Sequence, residues 1–286
     1  MSRPGWKVAL ASVQGTSHIS SDTPCQDAAR AEIIEVPEGK PVLIAIVSDG
    51  AGSARYSHIG SRIACDHFLD CIVAHLTIGN PISTINREMI ETWLLAYQYE
   101  LESIAAESAH KIAEYACTVL VSILGEHQSA FAQIGDGAIV VAADDEPDEL
   151  CWMYWPQQGE YENVTYFSTS DDAAERLQFD LISRPMDELA MFSDGVQKLA
   201  LHYQSRTVHT PFLLPKLKVL RKEPPGHLPE LSRGLANYLA SEPVNSRTDD
   251  DKTLILATRR INQSCTVTTG VDGDRDSTHQ HDENLL

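Results

Sequence analysis

Three apolar runs in this chain stop at the same two residues. "PVLIAIVSDG" ends in Asp49-Gly50, "AFAQIGDG" in Asp136-Gly137 and "ELAMFSDG" in Asp194-Gly195. A continuous apolar run of this length reads as a strand buried on both faces. A carboxylate at its end has left the core, and a glycine after it lets the backbone come close to a neighbour. One Asp-Gly pair after a strand is an ordinary turn. Three, each with small residues beside the acid, point to strands that deliver acids to one place. Two more acids sit at the same kind of junction: Asp27 before "AARAEII", and Asp250, in "TDDDKTLILA", before the last apolar run. Strand ends are rigid mounts for chemistry.

If those strands are neighbours, the carboxylates converge. Two unit charges about 4 Å apart repel by roughly 4 kcal/mol at an effective dielectric near 20. Several such pairs rival the whole stability of a domain, roughly 5–15 kcal/mol. Protonation or divalent cations must relieve them. An all-oxygen site without organised His or Cys selects Mg²⁺ or Mn²⁺ over zinc. Gly50 fits such a site, because a residue without Cβ lets its own carbonyl approach an ion.

The chain has 286 residues, enough for one large domain or two small ones. Its net charge is −19, from 22 Lys and Arg against 41 Asp and Glu. That balance argues against nucleic acid or an anionic membrane as partner, since binding either needs clustered cations. The six cysteines form no C-x-x-C pair, so zinc-finger and redox-motif readings are weak. The N-terminal apolar run is too short for a signal peptide, and no stretch approaches a membrane span. These features predict a cytoplasmic protein with reduced thiols.

Strand patterns occur at "WKVALASVQG", "ARAEIIEV", "PVLIAIVS", "ACTVLVSIL", "SAFAQIG", "AIVVAA", "LCWMYWP", "RLQFDLISR", "DELAMFSD" and "TLILATR". Helical spacing predicts helices over about 56–75, with Ile59, Ile63, His67, Cys71 and Ile72 on its stripe, and over about 83–109 and 229–240. Strands dominate both ends and two long helices sit together between them. This is not the alternation of a doubly wound sheet. It predicts an α+β fold of sheets packed together with helices outside. The tail over 260–286 is polar and without aromatic residues, and is expected to be disordered.

"VSDGAGSARYSHIGSRIA", "CTVLV", "IGDGAIVV", "FSDGV" and "DDKTLILA" come in the order of motifs in the PP2C (PPM) family of metal-dependent serine/threonine protein phosphatases. "GTSHISSDTPCQDA" resembles the opening motif of a bacterial branch. The resemblance spans roughly residues 8–258, so one domain over 1–259 is expected. It implies a four-layer α-β-β-α sandwich with two Mn²⁺ or Mg²⁺ ions at one end, bridging a hydroxide that attacks phosphoserine or phosphothreonine. By analogy Asp49 bridges both ions, the Gly50 carbonyl binds one, and Asp194 and Asp250 hold the other. Asp27 acts directly or through water, and Asp136 shares a looser third ion with Asp194. Asp49, Asp194 and Asp136 are the expected catalytic set, and Thr118 supports the central strand. The implied partners are a phosphoprotein substrate and a cognate Ser/Thr kinase.

The chain departs from the family pattern in several places. No Arg precedes the Gln26-Asp27 pair, which leaves His18, Arg55 and Arg62 as candidates for the substrate phosphate. Ala51 stands where many members carry a His proposed as general acid. Lys198 lies near a usual Asp, and Asp250-Asp251 replaces the usual Asp-Asn, with Asp249 open as an alternative ligand. Cys25 beside the Gln-Asp pair reads as a packing thiol. These departures leave open an alternative: a weakly active or inactive family member that binds phosphoproteins as a regulator.

Overall fold

Alternate residues of one strand serve two different cores. In Pro41–Ser48, Leu43, Ala45 and Val47 join Phe131, Ile139, Met191 and Ile255, while Val42, Ile44 and Ile46 join Phe68, Ile72, Leu94 and Tyr97. The side-chain period of two makes this possible only if the strand is covered on both faces. Each Val, Leu, Ile or Phe side chain so buried contributes on the order of 1.5–3 kcal/mol.

The structure, a computed structural model, describes residues 5–37, 41–143, 145–146, 148–157 and 165–261. The expected disordered tail lies outside the described residues from 262 onward. Arg260, at its start, is tied to the fold, its carbonyl accepting from Lys7 Nζ at 2.6 Å.

The strands are β1 (Lys7–Val13), β2 (Ala28–Glu35), β3 (Pro41–Ser48), β4 (Val119–Leu124), β5 (Ser129–Ile134), β6 (Ala138–Ala143), β7 (Cys151–Trp152), β8 (Gln178–Ile182), β9 (Met186–Phe192), β10 (Leu201–His202), β11 (Thr207–Val208), β12 (Gly226–His227) and β13 (Lys252–Thr258). One sheet runs β2-β3-β4-β5-β8 and is antiparallel throughout. The other runs β12-β1-β13-β9-β6-β7, antiparallel except for the short β12, which pairs parallel to β1. The helices are α1 (Thr16–Ser20), α2 (Ser57–Thr77), α3 (Arg87–Glu107), α4 (Ala173–Arg176), α5 (Asp194–Ala200), α6 (Thr210–Leu220), α7 (Pro229–Leu239) and α8 (Glu242–Asn245).

Three apolar clusters correspond to the three interfaces of an α-β-β-α stack. One joins the two sheets, one lies between the first sheet and α2–α3, and one lies between the second sheet and α6–α7. The α+β sandwich expected from the chain is the fold observed.

Some details differ from the sequence reading. The face of α2 that packs inward is Gly60, Ser61, Ala64, Cys65, Phe68, Ile72 and Leu76. The stripe through Ile59 and Ile63 lies at its flank, and His67 instead bonds Glu100 and the Trp93 carbonyl across to α3. Small residues win because the helix lies close: a Cβ on Gly60 would stand 2.0 Å from the Tyr115 carbonyl oxygen. The helix expected from residue 83 begins at Arg87, where Asn86 caps it by accepting from the Met89 N–H at 2.9 Å. Helix α6 carries Pro215 in its interior, so its pattern does not announce a helix. The strand expected at "LCWMYWP" shortens to Cys151–Trp152. Among the described residues no helix is long and apolar enough to cross a membrane.

Candidate active site

Sheet register alone gathers the acids. Ala28 pairs with Ser48, which sets Asp27 beside Asp49. Val47 pairs with Leu120, which brings Asp49 to Thr118. In the other sheet Ala138 and Leu254 both pair with Phe192, so Asp136, Asp194 and the run before β13 share the same end. Asp49, Gly50, Asp136, Asp194 and Asp250 line a cleft of about 470 Å³ together with His18, Gln26, Thr118, Thr165 and Phe167. Among the described residues that line the cleft there is no Lys or Arg.

Asp27 stands behind the cleft. Its Oδ2 accepts from Ser193 Oγ at 2.6 Å, and its Oδ1 is buried with no hydrogen-bond partner among the described residues. Burial pushes its carboxyl up to about 7, opposed by the Ser193 hydroxyl and reinforced by the charges of Asp251 and Asp194. Burial also raises Asp194 to about 6, with Asp136 adding to the shift. Asp49 is pushed well above the usual carboxylate range by burial and then by Asp27 and Asp194, against whose carboxyl it leans. Burial raises Asp136 as well, while the Thr165 hydroxyl, donating to Oδ2 at 2.6 Å, works the other way. Among the described residues no three acidic, His or Cys side chains form a finished ligand set. Asp27, Asp49, Asp136 and Asp194 are each raised first by burial and then by neighbouring acids.

The three acids before β13 separate into different jobs. Asp249 is exposed and offers its carbonyl to the Ser17 N–H and Oγ. Asp250 lines the cleft. Asp251 is 2% exposed, and its carboxylate accepts from the N–H of Gly15 at 2.6 Å and of Gln26 at 2.5 Å. It ties the N-terminal loop to the last strand, a role that sequence reasoning missed and that the third consecutive acid could have signalled.

Gly50 is wedged. A Cβ there would stand 2.7 Å from the Gln26 carbonyl oxygen and 2.8 Å from the Ser57 Cβ. His18 lines the cleft, with Nδ1 2.9 Å from Asp251 Oδ2. Arg55 does not line the cleft: it is exposed, with its guanidinium 5.3 Å from the Tyr56 ring centroid. Arg62 is exposed and also absent from the lining. Cys25 packs with its Sγ 3.6 Å from Ser12 Oγ, and burial pushes its thiol up to about 12, the behaviour of an inert packing group.

The site also has a support that the sequence did not suggest. Gln197 donates through Nε2 to the Asp136 carbonyl, and Tyr203 donates to Gln197 Oε1. With Thr165, these groups hold the turn carrying Asp136 from two sides.

Residues 14–240 match the family model for protein phosphatase 2C. Over 252 residues the chain is 34% identical to serine/threonine-protein phosphatase 3 of Escherichia coli strain K12, covering 88% of this chain and 98% of that one. Among solved structures, the catalytic domain of the serine/threonine protein phosphatase PstP, in complex with two manganese ions, aligns with a TM-score of 0.58. The two share 14% identity, over 89% of this chain and 98% of that one. The serine/threonine phosphatase Stp1 of Staphylococcus aureus aligns at 0.54 with 17% identity, over 88% and 94%. At those identities the structural likeness speaks for the fold.

Proposed function

The chain belongs to the protein phosphatase 2C family, and as a member it is a serine/threonine protein phosphatase, for which we propose a divalent-metal centre in the acidic cleft. The observation that carries this reading is the set of carboxylates from separate strand ends, Asp49, Asp136, Asp194 and Asp250, in one cleft with no cationic side chain among its described lining residues.

The residues present fit Mn²⁺ or Mg²⁺. Every candidate donor is oxygen, the choice of hard cations. Asp27, Asp49 and Asp194 are raised by burial and by neighbouring acids, which is the strain a cation relieves. Asp27 keeps a buried oxygen without a partner among the described residues, and Gly50 presents its bare backbone where a side chain would not fit. Asp49, the Gly50 carbonyl, Asp194 and Asp250 would hold two core ions, with Asp27 beside or behind them, and Asp136 with Asp194 would hold a third. Bound there, such ions lower the pKa of a water nucleophile and neutralise the phosphate oxygens during in-line attack.

The chain's own groups do the rest. Ser193 orients Asp27, Thr118 fixes the backbone of Asp49, and Asp251 closes the N-terminal loop over the last strand. The substrate class is phosphoserine and phosphothreonine in proteins, which implies a kinase partner that installs the phosphate. The described cysteines are all unpaired, in keeping with the cytoplasm as the place of action.

Hydrolysis of a phosphoserine peptide, assayed with Mn²⁺, with Mg²⁺ and with EDTA, tests the reading. Activity with either ion, its loss in EDTA, and its loss in a folded Asp49→Asn protein are expected. An amide offers one neutral oxygen in place of a bridging carboxylate. A fully active Asp49→Asn enzyme overturns the metal assignment.

A further inference from the structure

The cleft contains one side chain that the metal reading leaves without a task. His18 is the only imidazole among its described lining residues, which include no Lys, Arg, Tyr or Cys. We propose that His18 is the general acid that protonates the serine or threonine oxygen as it leaves. The proposal rests on the reading of the cleft as the phosphatase centre.

The ring is mounted with care. Helix α1 is pinned at its start, where the Ser17 N–H and Oγ both donate to the Asp249 carbonyl, at 3.0 and 2.7 Å. It is pinned behind by the Thr23 N–H, which donates to the His18 carbonyl at 2.9 Å. Nδ1 lies 2.9 Å from Asp251 Oδ2, close but off the line of a hydrogen bond. That carboxylate is itself held by the N–H groups of Gly15 and Gln26. The side chain is 17% exposed and lines the cleft, while Nδ1 is the ring nitrogen enclosed by protein. This leaves Nε2 as the edge available to a ligand. The charged groups facing the ring are Asp251 behind it and Asp49, Asp136, Asp194 and Asp250 of the shared lining; α1 itself carries no other. A carboxylate close behind the ring and an open nitrogen in front favour a ring that can carry a proton toward the cleft.

The chemistry balances. The bond from phosphorus to the side-chain oxygen breaks with its electron pair on that oxygen, and the Nε2 proton moves to it, giving the free hydroxyl. The attacking water leaves its oxygen on phosphorus and its surplus proton goes to solvent, from which Nε2 is recharged. Hydroxyls in the cleft, Ser17, Ser53, Thr118 and Thr165, are too weakly acidic for the task. Histidine is the side chain whose ordinary titration range lies nearest neutrality.

A general acid has a signature that a structural residue lacks. A serine alkoxide needs a proton to leave, whereas p-nitrophenolate leaves without one. His18→Gln and the smaller His18→Asn are compared with the native chain on a phosphoserine peptide and on p-nitrophenyl phosphate. Mn²⁺ binding is followed by calorimetry and folding by thermal melts. A loss of about 100-fold or more in kcat on the peptide is expected, against only a few-fold on p-nitrophenyl phosphate. Mn²⁺ affinity and melting should match the native chain. Equal losses on both substrates, no loss on either, or a raised KM with unchanged kcat overturns the proposal. Asp49→Asn runs alongside as the control on the centre: inactive on both substrates, it supports the cleft reading, and fully active on both, it overturns that reading independently of His18.

Discussion

The backbone N–H of Asp49 donates to Thr118 Oγ1 at 2.9 Å, and the Thr118 N–H donates back to the Asp49 carbonyl at 2.8 Å. The backbone of Asp49, a proposed metal ligand, is thus fixed by Thr118 at the start of the adjoining strand. Thr118 is 2% exposed, so removing its hydroxyl leaves the part-buried Asp49 N–H without its acceptor at the wall of the cleft. Thr118→Val, which keeps the shape, should destabilise the fold by about 1–3 kcal/mol and weaken Mn²⁺ binding, and Thr118→Ser should restore both. Urea denaturation and calorimetry read the two effects. A valine protein that matches the native chain in both means that this pair of bonds does not position Asp49.

The raised carboxyls make stability depend on pH in a definite direction. Asp27 titrates near 7 and Asp194 near 6 in the folded chain, against 3.8 for an unperturbed Asp. The folded state therefore holds protons more tightly than the unfolded one. The contribution of these groups is full below about pH 4 and is lost as pH rises through 6 and 7. Mn²⁺ replaces the protons, so the gain in melting temperature on adding Mn²⁺ should grow from pH 5 to pH 7.5. At saturating metal that gain corresponds to about 2.7 kcal/mol at a hundred times the dissociation constant. Thermal melts across this window, with EDTA and with Mn²⁺, test it. A gain that stays flat or shrinks as pH rises shows that the carboxyls do not hold those protons.

The acids were legible in the sequence because strand ends, unlike helix faces, declare themselves by an abrupt change from apolar to polar. Register then did what no residue pattern states: it put Asp27 beside Asp49, and Asp136 beside Asp194. The features that stayed hidden are those set by close approach and by backbone partners. The packed face of α2 is made of small residues, which periodicity of large apolar ones cannot find. Asp251 reads like its two neighbours, yet only its carboxylate is turned onto two backbone N–H groups. Arg55 looked suitable by proximity to the Asp49 loop, but that loop carries it outward onto Tyr56.

Gly60 measures how closely α2 packs. Its missing side chain leaves room for the Tyr115 carbonyl, which a Cβ would meet at 2.0 Å. The contact is with backbone, which cannot rotate aside. Gly60→Ala should cost at least the 1–3 kcal/mol typical of about one methyl too many, despite alanine's better helix propensity. Gly234, in α7, has open space around the same position, and Gly234→Ala should stabilise by up to about 1 kcal/mol. Chemical denaturation of both variants gives the comparison, and a Gly60→Ala protein as stable as the native chain removes the close approach.

Asp136 tests the division of labour among the acids. It lines the cleft, and register sets it beside Asp194 at the strand end. Asp250 is the one acid that adds to the rise of its carboxyl, whereas Asp27, Asp194 and Asp136 all add to that of Asp49. On the proposed assignment, an ion at Asp136 would have fewer fixed donors than one at Asp49, and is expected to bear on turnover more than on assembly. Asp136→Ala should keep most of the Mn²⁺-dependent rise in melting temperature and lose a large part of the phosphatase rate. Thr165 extends the argument. Its hydroxyl donates to Asp136 Oδ2 at 2.6 Å, a charge-assisted bond that holds one carboxylate oxygen in place. Thr165→Val should therefore shift the Mn²⁺ concentration needed for half-maximal rate upward without abolishing the rate at saturation, and Thr165→Ser should shift it back. Initial rates over a Mn²⁺ titration, with calorimetry on the same proteins, distinguish the outcomes. Loss of all high-affinity Mn²⁺ binding in Asp136→Ala places this acid with the core pair, and native turnover at every Mn²⁺ concentration removes it from the reaction.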